Sequence, residues 1–198
     1  MSSYSLVQPP ETGLWELPER GPVAMVSLII GESAIFTIFV VAYLFYLGKS
    51  LSGPTPQQVL HVPVFFTICL LSSSITIHLA VRSLRKAKTA AFARWWFLTL
   101  FLGATFLAGT VVEWRHLIYD EGLTIQTNLF GTTYYSLVGL HAFHVLMGLL
   151  ALCIVWLFAM FGKVKRDHAE RVDTLALYWH FVDTVWVVVF LVVYVIGR

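Results

Sequence analysis

The chain has 198 residues, of which 58% are hydrophobic and 12% are charged, and its formal net charge is +2. Soluble domains carry about 45–50% apolar and about 25% charged residues, so this composition excludes a soluble globular enzyme and a disordered chain. The small net charge gives no basic field for a polyanion, which excludes a nucleic-acid-binding protein. Cys69 and Cys153 lie in apolar runs, and they predict small buried side chains rather than a disulfide framework.

Five apolar segments are each long enough to cross a bilayer, which takes about 20 residues. The segments between them contain the glycines, prolines and charges that end helices. The chain therefore predicts an all-α integral membrane protein, with a polar tail at 1–21 and a five-helix membrane domain at 22–198. We name the helices the first to fifth predicted spans, at about 23–47, 59–81, 95–118, 133–161 and 175–196.

Lysines and arginines are divided unequally between the two sides of the predicted bundle. Three lie on one side, and ten lie in the tail or in the loops after the second and fourth spans. Loops rich in these residues stay on the cytoplasmic side, so we predict the N-terminus and its tail inside the cell and the C-terminus outside. The ten are Arg20, Arg82, Arg85, Lys86, Lys88, Arg94, Lys163, Lys165, Arg166 and Arg171.

Aromatic residues near the span ends are predicted to lie at the two membrane interfaces. The inner set is Trp95, Trp96, Tyr178 and Trp179, and the outer set is Tyr43, Tyr46, Trp114, Tyr119, Tyr134, Tyr135 and Tyr194.

Glu32 lies about 14 Å into the first span, which contains no lysine or arginine. An ionisable group in hydrocarbon costs about 2.5–3.5 kcal/mol on insertion scales, so it needs a partner or a role. Two interpretations stay open. Glu32 is either a proton- or lipid-related acid that reacts with carbodiimides, or a neutral acid hydrogen-bonded to a neighbouring helix.

Two further pairs of polar residues share a helix face at a spacing of three. His180 and Asp183 lie in the fifth span, either as hydrogen-bonding residues that fix its register or as a proton relay. His141 and His144 lie in the fourth span, on the face of Gly148, and they are either metal ligands or hydrogen-bonding residues between helices.

Two candidate redox sites come from the remaining polar residues. Glu113 and His116 have the spacing of one ligand pair of a di-iron bundle, but such a site needs a second pair and two more glutamates. A local pair of Glu113 with Arg115 is therefore the favoured interpretation. His78 is predicted to belong, with Glu113, His141 and His144, to a polar network within the bundle. His78 and His180 are also the inner histidines that could hold a haem. A self-sufficient haem or di-iron protein remains an alternative, whereas a transporter is disfavoured because no inverted repeat is evident.

Four strings in the chain resemble subunit III of the haem–copper oxidases, in its short five-helix bacterial form. The most specific are YWHFVDTVW at 178–186 and GLHAFHVLMG at 139–148. The others are FGTTYY at 130–135 and LGATF at 102–106, which leads to Glu113 and Trp114. Order and spacing agree from about residue 27 to the C-terminus. Gly31 and Thr110 depart from the pattern, where the family has Ser and Gln.

The resemblance implies roles for the polar residues within the bundle. Glu32 matches the carbodiimide-reactive glutamate that faces the family's lipid cleft. Glu113, His141, His144, His180 and Asp183 match the family's polar positions inside the bundle. The acids and histidines on the inner half then imply proton- or lipid-related roles for Glu32, His180 and Asp183.

The resemblance also implies a function and partners. The chain would be a non-redox accessory subunit of a proton-pumping terminal oxidase in the bacterial cytoplasmic membrane. It would contact the catalytic subunit I directly and share the complex with subunit II, and it would bind phospholipid. It would carry no cofactor, since haem and copper belong to the partner subunits. Its role would be to support proton uptake and protect subunit I from inactivation during turnover. A counterpart in a quinol oxidase or a nitric oxide reductase is the alternative.

Overall fold

A computed structural model describes residues 20–50 and 52–198, so most of the predicted tail lies outside the described residues. The described chain is helical, with five helices long and apolar enough to cross a membrane, as predicted. These five are α1 (Arg20–Tyr46), α3 (Val64–Arg85), α4 (Thr89–Tyr119), α5 (Leu129–Met160) and α6 (Ala169–Phe190). A single turn, α2 (Pro56–Val59), precedes α3, a 3₁₀ turn (Arg166–His168) precedes α6, and a π-helical turn (Leu191–Ile196) continues it.

Several helix ends differ from the predicted spans. α4 begins six residues before the predicted 95, and α6 also begins six residues before the predicted 175. Backbone hydrogen bonding continues through polar residues at the membrane surface, whereas an apolar run marks only the part inside hydrocarbon. In the second span the helix begins later than predicted, at Val64 and not at 59. Val59 and Leu60 are buried beside the one-turn α2, and α3 begins after Pro63, whose missing amide hydrogen suits a helix start.

Helix α6 occupies the centre of the bundle. It packs against α1, α3 and α5, while α3, α4, α5 and α1 follow one another around it. Half of the residues in the most apolar 18-residue stretch of the last span, which contains α6, are buried inside the protein, against 6% in that of α1. The core of the protein is therefore built around α6, and α1 covers one side.

Close packing around α6 depends on Trp179, which is fully buried. A Cβ added at Gly103 of α4 or at Gly148 of α5 would approach the Trp179 ring to 2.9 Å or 2.8 Å. The two glycines thus allow both helices to approach α6, as small residues do in membrane bundles.

Several of the aromatic residues predicted at the membrane interfaces are buried between helices. Trp96 and Trp179 are buried, and so are Tyr43, Tyr134 and Tyr194. Trp96 donates its indole N–H to the Leu152 carbonyl, and Trp179 donates to the Ser73 hydroxyl, at 2.8 Å each. Trp96 and Trp179 thus pack between helices with a hydrogen-bond partner for the indole N–H, whereas the buried hydroxyl of Tyr43 has no partner among the described residues. Cys153 also differs from its prediction, since it is exposed on α5, whereas Cys69 is buried.

The connections at the end opposite the basic loops are held together by Asn128. Its Nδ2 donates to the carbonyls of Ser52 and Pro54, both at 3.1 Å, and its Oδ1 accepts from the amide of Gly131 at 2.8 Å. One side chain thus caps α5 and fixes the α1–α3 connection against it.

Candidate functional site

The first candidate site lies between α3 and α6, about halfway along both helices. The Ser74 hydroxyl forms a short hydrogen bond to Oδ2 of Asp183, and it lies 3.0 Å from Nδ1 of His180. Asp183 is 3% exposed, and its Oδ1 has no hydrogen-bond partner among the described residues. His180 and Asp183 thus share one partner on the neighbouring helix, and both interpretations of the pair, structural and protonic, fit this geometry.

His180 also lines an open cavity at the end of the bundle where the basic loops lie. The cavity has a volume of about 680 Å³. Arg85 and Asp173 form an ion pair of 2.6 Å beside it, from the end of α3 to the start of α6. The lining residues are Pro22, His78, Arg85, Glu170, Asp173, Thr174, Leu177 and His180. Polar and charged groups thus continue from the bundle surface to the Ser74–Asp183 contact.

The second candidate site joins α1 to α5 through Glu32. Its Oε2 lies 3.1 Å from Nε2 of His144, and their side chains are 23% and 10% exposed. Nδ1 of His144 lies 2.8 Å from the Leu140 carbonyl, so Nδ1 must carry a hydrogen. Nε2 then either accepts a hydrogen bond from neutral Glu32 or, in the imidazolium, donates one to its carboxylate. In both states one proton lies between the two side chains.

His141 does not join this pair. It is 1% exposed and stacks on Trp186, with the ring centroids 5.0 Å apart, and neither ring nitrogen has a hydrogen-bond partner in the described chain. His141 and His144 therefore have different environments in spite of their shared helix face.

Glu113 contacts a tyrosine, not the arginine that the sequence favoured. Its Oε1 accepts a hydrogen bond of 2.8 Å from the Tyr194 hydroxyl, on the π-helical turn after α6. Arg115 is exposed on α4, and it forms no ion pair with Glu113. His116 turns to Asp120 instead, at 2.7 Å. Glu113 and His116 thus have separate partners and do not form a shared ligand pair.

Metal ligands do not converge in the part of the chain that the structure describes. No group of three or more His, Cys, Asp or Glu side chains there is placed to hold a metal ion.

An apolar groove lies between α1 and α6, beside the Glu32–His144 pair, with a volume of about 270 Å³. Ser33, Thr37 and Thr184 line it, but each donates its hydroxyl to a carbonyl of its own helix. The surface that remains is formed by Phe36, Val40, Phe181, Val185, Val188 and Val189. The groove therefore offers apolar contacts to a ligand and no free polar group.

The partners of the acids were not predicted from the sequence. Nothing in the sequence pairs Ser74 with Asp183, and Tyr194 was predicted only at the membrane interface. The available signal was weak: Ser74 and Asp183 are 109 positions apart, and only the packing of α3 on α6 brings them together.

The fold and these sites define a multi-pass helical membrane protein in which each buried acid is held by a residue of another helix. The chain belongs to the cytochrome c oxidase subunit III family, whose profile matches residues 23–198. Members of this family are accessory subunits of terminal oxidases and lack redox centres, so the chain is an accessory subunit of that type. The self-sufficient haem or di-iron alternative is thereby disfavoured.

Individual relatives agree with this assignment. The chain is 37% identical to cytochrome c oxidase subunit 3 of Synechocystis, over 90% of this chain and 77% of the relative. It is 34% identical to the protein of the same name from Alkalihalophilus pseudofirmus, over 84% and 82%. It is also 30% identical to the probable quinol oxidase subunit 3 of Staphylococcus saprophyticus, over 85% of each chain.

Proposed function

We propose that the chain supports proton uptake by subunit I from the cytoplasmic side of a bacterial membrane, and that it binds phospholipid. The observation that carries the proposal is the cavity at the basic end of the bundle. Its lining includes His78, Glu170, Asp173 and His180, which can all exchange protons with water. His180 in turn contacts Ser74 and, through it, the buried Asp183.

The proposed orientation follows from the positive charge at the end of the bundle where the cavity lies. The cavity is at the end of α3 and the start of α6, where the loops rich in lysine and arginine are. The positive-inside rule puts this end in the cytoplasm, from which a terminal oxidase takes up protons. The same positive charge favours anionic phospholipid headgroups in the inner leaflet. The acyl chain of a bound phospholipid fits the α1–α6 groove, which has no unpaired polar group.

Proton uptake by the purified oxidase complex tests the proposal. We expect His180→Gln to slow the uptake measured with a pH-indicator dye during single turnovers, and to reduce the number of turnovers before inactivation. The matched control is His116→Gln, since His116 is an exposed histidine at the opposite end of the bundle. Native values for His180→Gln in both measurements, in a complex with its full content of this subunit, would contradict the proposal.

Orientation is tested separately by cysteine labelling of intact cells. Lys88→Cys and Gln126→Cys place a thiol in loops at opposite ends, in a chain whose Cys69 and Cys153 are replaced by alanine. We expect a membrane-impermeant maleimide to label the variant at Gln126, and to label the variant at Lys88 only after permeabilisation. The reverse pattern would invert the proposed topology.

A further inference from the structure

We propose that Ser74 is a positioning residue that relays a proton between His180 and Asp183. The inference deepens the proposed function and rests on it, because it assigns a path for protons from the same cavity. Ser74 is half-buried on α3 and has polar contacts to both side chains of the pair. Ser74 is not among the polar positions that match the family's pattern.

The hydrogen count of a single hydroxyl makes the contact directional. A serine hydroxyl has one hydrogen to donate and can accept through its lone pairs. When Ser74 donates to Oδ2 of Asp183, Nδ1 of His180 must donate to Ser74, which leaves Nε2 as the free acceptor of a neutral ring. When Ser74 donates to Nδ1 instead, Asp183 carries the proton and donates to Ser74. The ring hydrogen is then on Nε2.

Conversion between these two arrangements moves one proton without separating charge along the path. Nε2 of His180 takes a proton from the cavity, and the Nδ1–H bond breaks as its hydrogen passes to the Ser74 oxygen. The original Ser74 O–H bond breaks at the same time, and its hydrogen joins Oδ2 of Asp183. The bonds broken are Nδ1–H of His180, the original O–H of Ser74 and one O–H of a hydronium ion in the cavity, which is left as water. The bonds formed are Nε2–H of His180, a new O–H of Ser74 and Oδ2–H of Asp183.

Two observations support both ends of this relay. Nε2 of His180 has no partner among the described side chains, and the ring lines the cavity together with His78, Arg85, Glu170 and Asp173. At the other end, Oδ1 of Asp183 is buried without a partner. Buried polar atoms in proteins are nearly always paired, so an unpaired one requires an explanation. In the protonated arrangement Oδ1 belongs to a neutral carboxyl group, whose burial without a partner costs less than that of a carboxylate.

Neighbouring Ser73 provides a matched control. Its hydroxyl donates to the Leu70 carbonyl and accepts from the indole of Trp179, so it has a structural role in the same helix. Ser73→Ala removes a buried hydrogen bond but leaves the Ser74 contacts in place. Ser74→Thr keeps a hydroxyl at the relay position, whereas Ser74→Ala removes it.

Hydrogen–deuterium exchange at the Asp183 carboxyl, followed by infrared spectroscopy of the purified oxidase complex, tests the relay. The band lost in Asp183→Asn identifies the carbonyl stretch of the protonated group. We expect Ser74→Ala to slow exchange at this band by about tenfold or more, the rate change for a barrier increase of about one hydrogen bond. Exchange in Ser74→Thr and Ser73→Ala should stay within about twofold of native, since both keep the link intact.

Two results would overturn the proposal. One is native exchange in Ser74→Ala, and the other is a carboxyl spectrum that Asp183→Asn leaves unchanged. Failure of the proposed function is a distinct result. Slow exchange in Ser74→Ala, combined with native proton uptake in His180→Gln, would establish the relay and reject its contribution to uptake by the oxidase.

Discussion

Helices α1 and α6 are both apolar enough to cross a membrane and both carry an acid within the span, yet they occupy very different positions. α6 is the centre of the bundle, and α1 contacts only one side of it. Asp183 is 3% exposed, and the side chain of Glu32 is 23% exposed. Hydropathy therefore identifies a membrane span but not its position in the bundle, because the lipid around a helix is as apolar as a neighbouring helix.

The largest expected difference between the two helices is in stability. We expect Trp179→Ala on α6 to destabilise the protein by about 3 kcal/mol, because a cavity remains between Gly103 and Gly148. Ile38→Ala on α1 should change stability by less than about 0.5 kcal/mol, since Ile38 is 68% exposed. Unfolding of the oxidase complex in increasing denaturing detergent measures both. Equal losses would mean that α1 is as tightly packed as α6.

The two acids are expected to differ in chemical reactivity. A hydrophobic carbodiimide should modify Glu32 before Asp183, on the order of tenfold faster, because the less exposed Asp183 is enclosed by α3. Mass spectrometry of peptides from the labelled complex identifies the modified residue, and Glu32→Gln is the control. Preferential labelling of Asp183 would show that Asp183, and not Glu32, is the more accessible acid.

The groove between α1 and α6 allows a third test, in which both helices contribute to one site. We expect Val188→Trp to fill the groove and remove about one phospholipid per complex, since the cavity can no longer hold an acyl chain. Ile154→Trp is the control, because Ile154 is exposed on α5 outside the groove. Quantification of phospholipid in the purified complex measures the change, and an unchanged content would argue against a lipid in the groove.

The smallest effect is expected at the start of α6, where charged side chains are exposed. Arg85 and Asp173 form an ion pair of 2.6 Å, but their side chains are 59% and 49% exposed. Solvent screening limits such pairs to about 0–1 kcal/mol, so Asp173→Asn should change stability by less than about 0.5 kcal/mol. The same detergent unfolding measures it. A loss comparable to that of Trp179→Ala would show that α6 is anchored at this end.

The features of the fold that could be predicted are those that depend on a short stretch of sequence. The five spans follow from runs of apolar residues, and the polar positions Glu32, Glu113 and Asp183 stand out because charge is costly in hydrocarbon. Their partners could not be predicted, because the contacts of Glu113 with Tyr194 and of Glu32 with His144 depend on how the helices are rotated.

The π-helical turn is a further feature without a local signal. The run Leu191–Ile196 consists of ordinary apolar residues that favour a regular helix or a strand. The wider turn nevertheless coincides with the hydrogen bond from Tyr194 to Glu113. Such turns are often found at functional positions in helices, and only the tertiary packing reveals them.

The contacts of Asn128 have a consequence for assembly. Two hydrogen bonds from one amide group join connections that are more than 70 positions apart in sequence, and a third caps α5. A neighbouring subunit that binds this end of the bundle would therefore meet one preformed surface, and the entropy cost of ordering two separate loops would already be met in the free chain. A change at Asn128 would release the α1–α3 connection from α5 and so alter the shape of this surface.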